Sequence, residues 1–485
     1  MERIKKGYRF LIYILPATLF FSYYPVISLG ASESMNFELS LPLLWLVIFD
    51  VVALYLLIKK RALSGIWKNW QWLLFPIFVT LSVFWSMNFL RGLLTVGVLW
   101  LLYFAGYAFW NLKSLFLEVG FKERFWKVFF GSALVACGWC LAQCILDLAG
   151  VPREGSLMCA GCTYRMFGFP HPNGFAIEPQ FMGNLLLAPA IMAGYMLETK
   201  AIFAKDALKG VRSSLRPLVS IVLVFVLSAT LFLTFSRGAI YAFVMAVIFM
   251  VAVEGVRQKT WRVCRTFLVV AGAFVFTLNL QGIMAQVGPT DDTYGSGVAK
   301  ALNHLSLGVV DIRSDINEGE EDVLEEQNVP MLEEVEGHDE NEGEQAVFDG
   351  YVEESTDTRV RLSNVAVEVW RKDFGTMLFG VGIGGAGQAL YANGLSPAPK
   401  EIIQNEYASL LLETGSIGVV LLILTIILIV RAAMKKSVIA PVILTLTVAY
   451  AITLLFFSGL PNALHIYLLP ALFISLYGKS LYRKQ

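Results

Sequence analysis

The residues of this sequence best suited to chemistry are arginines placed where apolar runs meet polar loops. Arg237 lies in Thr234-Phe235-Ser236-Arg237-Gly238, between two apolar stretches that follow each other almost without a loop. A cation held between packed membrane helices is costly unless an anion accompanies it. Arg359 and Arg361 open a segment in which Leu362, Val365, Val369 and Trp370 have amphipathic-helix spacing. Arg91 stands at a turn between two earlier apolar runs, on the side that the bias of basic residues makes the outer one. Gln404-Asn405-Glu406 precedes a further apolar run, and Glu413-Thr414-Gly415 falls just inside it, where a carboxylate is expensive unless paired or functional. Guanidinium groups grip phosphate oxygens in bidentate fashion. At headgroup depth the implied ligand is a lipid phosphate or pyrophosphate.

A second polar island, 150–179, carries Arg165, His171, Asn173 and Glu178, with Pro170 and Pro172 bracketing the histidine. The prolines argue for a rigid, non-helical loop. These residues either line a sugar site or satisfy one another within a structured loop. Cys159 and Cys162 lack a second ligand pair for zinc, so a local disulfide or two thiols is expected, and no metal site is. The Gly380, Gly382, Gly385 pattern follows an amphipathic helix rather than a strand, so it reads as a tight turn and not a dinucleotide loop.

The elements that must position these residues are membrane helices. The chain has 485 residues, 56% of them hydrophobic, far above a soluble composition. About twelve runs are long enough to span a bilayer. They begin at 10–29, 41–58, 71–87, 92–110, 128–149 and 179–197, and continue at 217–235, 238–253, 267–280, 407–430, 438–457 and 465–480. Most of the 38 Lys and Arg residues fall in alternate short loops, which puts both termini in the cytoplasm and the chemistry-bearing loops outside. The expected fold is therefore an all-α polytopic bundle with one large outward loop between the ninth and tenth spans. Its parts are 1–280 (spans one to nine, with the outward loop 150–178), 281–406 (the large loop) and 407–485 (the last three spans). Within 291–401 there are 24 acidic residues against seven basic ones, and the insert at about 315–357 has the composition of a disordered segment.

The motifs together resemble the O-antigen ligase and O-antigen polymerase superfamily of bacterial membrane glycosyltransferases. The elements that carry the resemblance are Arg361 before Trp370, the Gly380-Val381-Gly382-Ile383-Gly384 turn, Gln404-Asn405-Glu406-Tyr407, Glu413-Thr414-Gly415 and Thr234–Gly238. One departure stands out: Gln404 occupies the family's histidine position. The resemblance implies a glycosyltransferase-C-like membrane architecture. It also implies transfer of a glycan from an undecaprenyl pyrophosphate donor to an acceptor hydroxyl on the outer face of the cytoplasmic membrane, with inversion and without metal or other cofactor.

In that picture Arg237 and Arg361 hold the pyrophosphate and stabilise it as it leaves. Arg359, Arg91, Arg165, His171, Asn173, Glu178, Asn405 and Glu413 are candidates for substrate binding. Glutamine cannot take a proton at neutral pH, so the base is Glu406, or Gln404 merely orients the acceptor. The partners implied are the lipid-linked glycan, a glycan, lipid or protein acceptor, and membrane lipids, with no nucleic acid. A transporter or flippase for lipid-linked sugars, and a reduced member that only binds glycan lipid, are the competing readings.

Overall fold

The computed structural model describes residues 2–22, 25–32, 35–63, 65, 70–159, 161–163, 169–198, 202–258, 264–288, 293–306, 358–396, 398–399, 401–434, 439–459 and 463–477. The acidic insert expected at about 315–357 lies outside the described residues, as does Arg165.

Each of the twelve apolar runs contains helix. Among the described residues eight helices are long and apolar enough to cross a membrane: Leu41–Lys59, Phe89–Asn111, Phe121–Leu148, Pro179–Glu198, Arg216–Leu233, Arg237–Val256, Arg265–Val287 and Glu406–Leu428. Three shorter apolar helices occupy Trp70–Trp85, Ala440–Thr453 and Leu464–Tyr477. Eight of the about twelve expected spans therefore reach that length and composition among the described residues. Helix α1 runs Glu2–Phe20 rather than the expected 10–29, and its first half carries the charges of Glu2, Arg3, Lys5, Lys6 and Arg9. An antiparallel hairpin of β1 (Pro25–Ser32) and β2 (Met35–Ser40) follows, and β1 takes up the last residues of the expected run 10–29. The chain is accordingly helical apart from this one hairpin among the described residues.

The remaining helices are α2 (Leu41–Lys59), α3 (Leu74–Ser82), α4 (Phe89–Asn111), α5 (Phe121–Leu148), α6 (Pro179–Glu198), α7 (Arg216–Leu233), α8 (Arg237–Gln258) and α9 (Arg265–Val287). Then come α10 (Tyr294–Ser306), α11 (358–370), α12 (Phe374–Phe379), α13 (Ala386–Ala392), α14 (Glu406–Met434), α15 (Ala440–Thr453) and α16 (Leu464–Tyr477). Helix α6 is buried along nearly its whole length and packs against α7 and α8. In lipid, association rests on close packing of small residues rather than on the hydrophobic effect. Gly183 of α6 shows this: a Cβ there would come within 2.8 Å of Ala239 Cβ on α8.

A smaller apolar cluster lies apart from the main core. Leu362, Ala366 and Val369 of α11 bury against Ala386, Ala389 and Leu390 of α13 and against Ile403, Ala408 and Leu412. The expected amphipathic face of 359–370 is this contact.

Candidate functional site

The first site element is the turn between α7 and α8. Thr234 Oγ1 donates to Leu231 O at 2.7 Å, which ends α7 locally. Phe235 then adopts φ of 48°, a left-handed conformation that a bulky residue holds only when its surroundings impose it. This reversal sets Arg237 as the first residue of α8, 8% exposed.

Helix α10 imposes the turn from outside. His304 Nε2 lies 3.1 Å from Phe235 O. A carbonyl only accepts, so Nε2 carries the hydrogen and Nδ1 is left with the lone pair. No hydrogen-bond partner for Nδ1 exists among the described residues. One residue on, Leu305 O accepts from the Tyr241 hydroxyl at 2.5 Å. Aromatic packing completes the brace: Phe169 and His171 stack with centroids 4.7 Å apart, His171 meets His304 edge-on at 5.3 Å, and Phe169 lies 4.5 Å from Phe235. Burial, with Arg237 and Arg359 adding to it, pushes the His304 imidazole down to about 4. Burial likewise drives His171 well below the ordinary range, helped by His304 and Arg237. Both rings are neutral near pH 7, and both arginines act on the same pocket of rings.

The second element is the turn at 454–459. Glu406 N donates to Leu454 O at 2.9 Å, and the Glu406 carboxylate accepts from Gly459 N at 2.8 Å and from Ser458 Oγ at 3.4 Å. Asn405 Oδ1 caps α14 by accepting from Tyr407 N and Ala408 N at 3.1 and 3.2 Å. Gln404 is half-buried, and its Oε1 has no hydrogen-bond partner among the described residues. The same turn touches the arginine turn, since a Cβ on Gly238 would lie 2.8 Å from Phe456 Cβ. Gln180 Nε2 also donates to Phe456 O at 2.5 Å.

The third element is the glycine turn 380–385. Gly380, Gly382 and Gly384 have φ of 72°, 86° and 76°, so glycine is required by conformation. Val381 N and Gly382 N donate to Leu412 O and Glu413 O at 2.9 and 3.0 Å, while Ser86 Oγ donates to Ile383 O at 2.8 Å. Glu413 Oε1 accepts from Ala386 N at 3.3 Å, and Arg91 lies within its electrostatic reach. Gly415, with φ of 62°, kinks α14 directly after this carboxylate.

The structure therefore packs His171 and His304 on the arginine turn, with Arg237 and Arg359 within electrostatic reach of His304, and brings the turn that holds Glu406 against Gly238; Arg91 lies within electrostatic reach of Glu413. Arg361 and Glu178 are exposed. Asn173 is wholly buried inside its own loop: its Nδ2 donates to Ala176 O at 2.6 Å and its Oδ1 accepts from Gln143 Nε2 at 3.2 Å. Cys159 and Cys162 of that loop are disulfide-bonded. Sequence reasoning missed His304. Its signal was available: a lone histidine among Val298, Ala301 and Leu305, at amphipathic spacing just before the acidic run.

Fold and site define a polytopic α-helical membrane protein with a buried arginine turn at the junction of two spans. A family model described as O-antigen ligase matches residues 222–423, an interval that holds Arg237, the glycine turn and Glu413. Over that interval the chain is similar to the O-antigen ligase family. No curated protein matches the chain.

Proposed function

We propose that this protein transfers a glycan from an undecaprenyl pyrophosphate donor to an acceptor hydroxyl at the outer face of the cytoplasmic membrane. The observation that carries this reading is Arg237, buried at a span junction yet cationic, with Arg359 acting on the same His304. Two guanidinium groups within electrostatic reach of the same histidine suit a pyrophosphate better than a neutral ligand. In the reaction the acceptor oxygen attacks the anomeric carbon. The bond from that carbon to the pyrophosphate oxygen breaks with its electron pair, and undecaprenyl pyrophosphate departs. A single displacement inverts the anomeric centre. The arginines stabilise the charge that gathers on the leaving oxygens, the role that pre-set donors fill most effectively in a water-poor site.

Glu406 is the proposed acceptor of the hydroxyl proton. Its place at the head of α14, held by Gly459 N, fixes the carboxylate beside the turn that touches Gly238. Gln404, standing in the family's histidine position, would orient the acceptor hydroxyl. A binding-only role is favoured by that same glutamine and by nothing else.

The deciding experiment reconstitutes the full chain in proteoliposomes with a labelled glycan on undecaprenyl pyrophosphate and scores transfer to added acceptors. Transfer by the wild type that is lost in Arg237→Ala and Glu406→Gln supports the enzyme reading. Full activity of Glu406→Gln removes that residue as the base. Donor binding without transfer to any acceptor favours the binding-only reading.

A further inference from the structure

At the opposite end of the bundle from the arginine turn, the amino-terminal half of α1 meets the start of α5. Between them lies an open cavity of about 320 Å³. Three cations line it, Lys6, Arg9 and Arg124, against a single carboxylate, Glu118. Arg9 is fixed in place: its guanidinium ion-pairs with Glu118, and its Nε donates to Leu115 O at 2.7 Å. Lys6 and Arg124 have no carboxylate paired with them among the described residues, so the cavity keeps an excess of two positive charges. Arg124 stands beside the Tyr13 hydroxyl, and Tyr13 stacks on Phe121 at 4.4 Å, which gives the cavity a flat aromatic floor. Its rim is apolar and open, with Phe10 59% exposed and Val119 fully exposed.

Polarity changes along α1 at this level. Glu2 to Arg9 carries the charges, and Leu11 to Phe20 is apolar apart from Tyr13 and Thr18. The cavity therefore sits at headgroup depth, with cations on the water side and aliphatic and aromatic surface on the chain side. A soluble anion would have no use for the exposed Phe10 and Val119, and a neutral lipid would have no use for the cations. Basic recesses between membrane helices are suited to acidic lipid headgroups.

We infer that the groove between α1 and α5 is a binding site for an anionic phospholipid of the leaflet at the amino-terminal face. Lys6 and Arg124 hold the phosphodiester, Arg9 is their pre-set third donor, and the acyl chains run along Phe10 and the outer surface of α1. The site is separate from the glycosyl-transfer reading and stands whether or not that reading holds.

The test uses full-length protein in detergent, titrated with phosphatidylglycerol and, separately, with phosphatidylcholine, and reads retained lipid by native mass spectrometry. Wild type should keep phosphatidylglycerol and not phosphatidylcholine. Lys6→Ala with Arg124→Ala should weaken retention at least about tenfold, as expected for two headgroup-level charges. Lys127→Ala, on the same helix but paired with Glu123 at 2.8 Å, should leave retention unchanged. Both altered residues are exposed, and an unchanged melting temperature without lipid checks that the double variant is folded. Equal retention by the double variant, equal retention of phosphatidylcholine, or displacement of the lipid by millimolar inorganic phosphate would each overturn the site.

Discussion

Two turns at helix ends hold backbone in left-handed conformations, and they are stabilised in opposite ways. The glycine turn 380–385 is closed by backbone and small polar groups: its amides reach Leu412 O and Glu413 O, and Ile383 O is held by Ser86. Its one carboxylate, Glu413, accepts from a backbone amide and faces Arg91. The arginine turn 234–238 is instead held by side chains, chiefly His304 and the rings of Phe169 and His171 packed on Phe235. Its strained residue is a phenylalanine, not a glycine. A turn closed by its own backbone needs nothing further, whereas this one depends on rings brought in from other segments to hold Phe235 and set Arg237 at the head of α8. The lesson is that the glycine turn is built for fit and the arginine turn for charge.

Breaking the glycine turn should have the largest effect. A Cβ on Gly382 would come within 2.3 Å of Ser86 Cα, backbone that cannot step aside, and its φ of 86° adds strain for any other residue. Gly382→Ala is expected to cost about 3 kcal/mol or more and to leave little folded protein after detergent extraction, read by size-exclusion chromatography. Normal yield and melting temperature would mean that α3 and α4 yield more easily than their packing implies.

Arg237→Ala comes next and sharpens the other half of the comparison. It should lower transfer by roughly 10²- to 10³-fold, the range for losing one pre-set charge-stabilising donor, with the elution volume on size exclusion checking that the variant is folded. Arg361→Ala should change transfer by less than about threefold, since its side chain is exposed and Arg359 is the one that acts on His304. Equal losses in both variants, measured as initial rates in proteoliposomes, would contradict this division of labour.

What the sequence made legible follows from length and pattern. Apolar runs show themselves because a span needs about twenty apolar residues in a row, and Arg237 shows itself because it falls between two such runs with almost no loop. The amphipathic stripe Leu362, Val365, Val369 likewise becomes the buried face of α11. His304 was not legible, because its importance depends on a carbonyl 69 residues away. The same holds for Asn173, read as a possible sugar ligand, whose side chain is occupied by Gln143 and Ala176. That Glu413 comes within electrostatic reach of Arg91 depends on how α3 and α4 pack under the glycine turn, which no local spacing encodes. Arg359 and Arg361 share a segment, and only the orientation of α11 tells them apart.

The brace itself can be dissected. His304→Gln keeps an amide donor within reach of Phe235 O, while His304→Ala removes it and opens a cavity. If His304 acts by positioning Arg237, alanine should lower transfer about tenfold and raise the KM for the donor, and glutamine should recover most of both. A glutamine variant as impaired as alanine in kcat, with unchanged KM, would point instead to the Nδ1 lone pair as a participant in proton transfer.

The smallest effect is a dependence of stability on pH that the glycine turn, lacking a histidine, does not share. In the unfolded chain His304 titrates near 6.5, and in the fold burial, Arg237 and Arg359 bring it down to about 4. Between those values the unfolded chain takes up a proton that the folded protein refuses. Stability is therefore full above about pH 6.5, falls as the pH drops towards about 4, and gains no further loss from this group below that. The slope from one such group is at most about 1.4 kcal/mol per pH unit. His171, shifted in the same direction, steepens it. Melting temperatures at pH 7.5, 6.0 and 5.0 should fall for the wild type and fall less for His304→Gln; identical profiles would mean that His304 does not titrate against the two arginines. A bound pyrophosphate offsets the field of Arg237 and Arg359, so inorganic pyrophosphate should flatten the wild-type profile. That flattening should be absent in Arg237→Ala; its persistence there would mean that pyrophosphate does not act through this arginine.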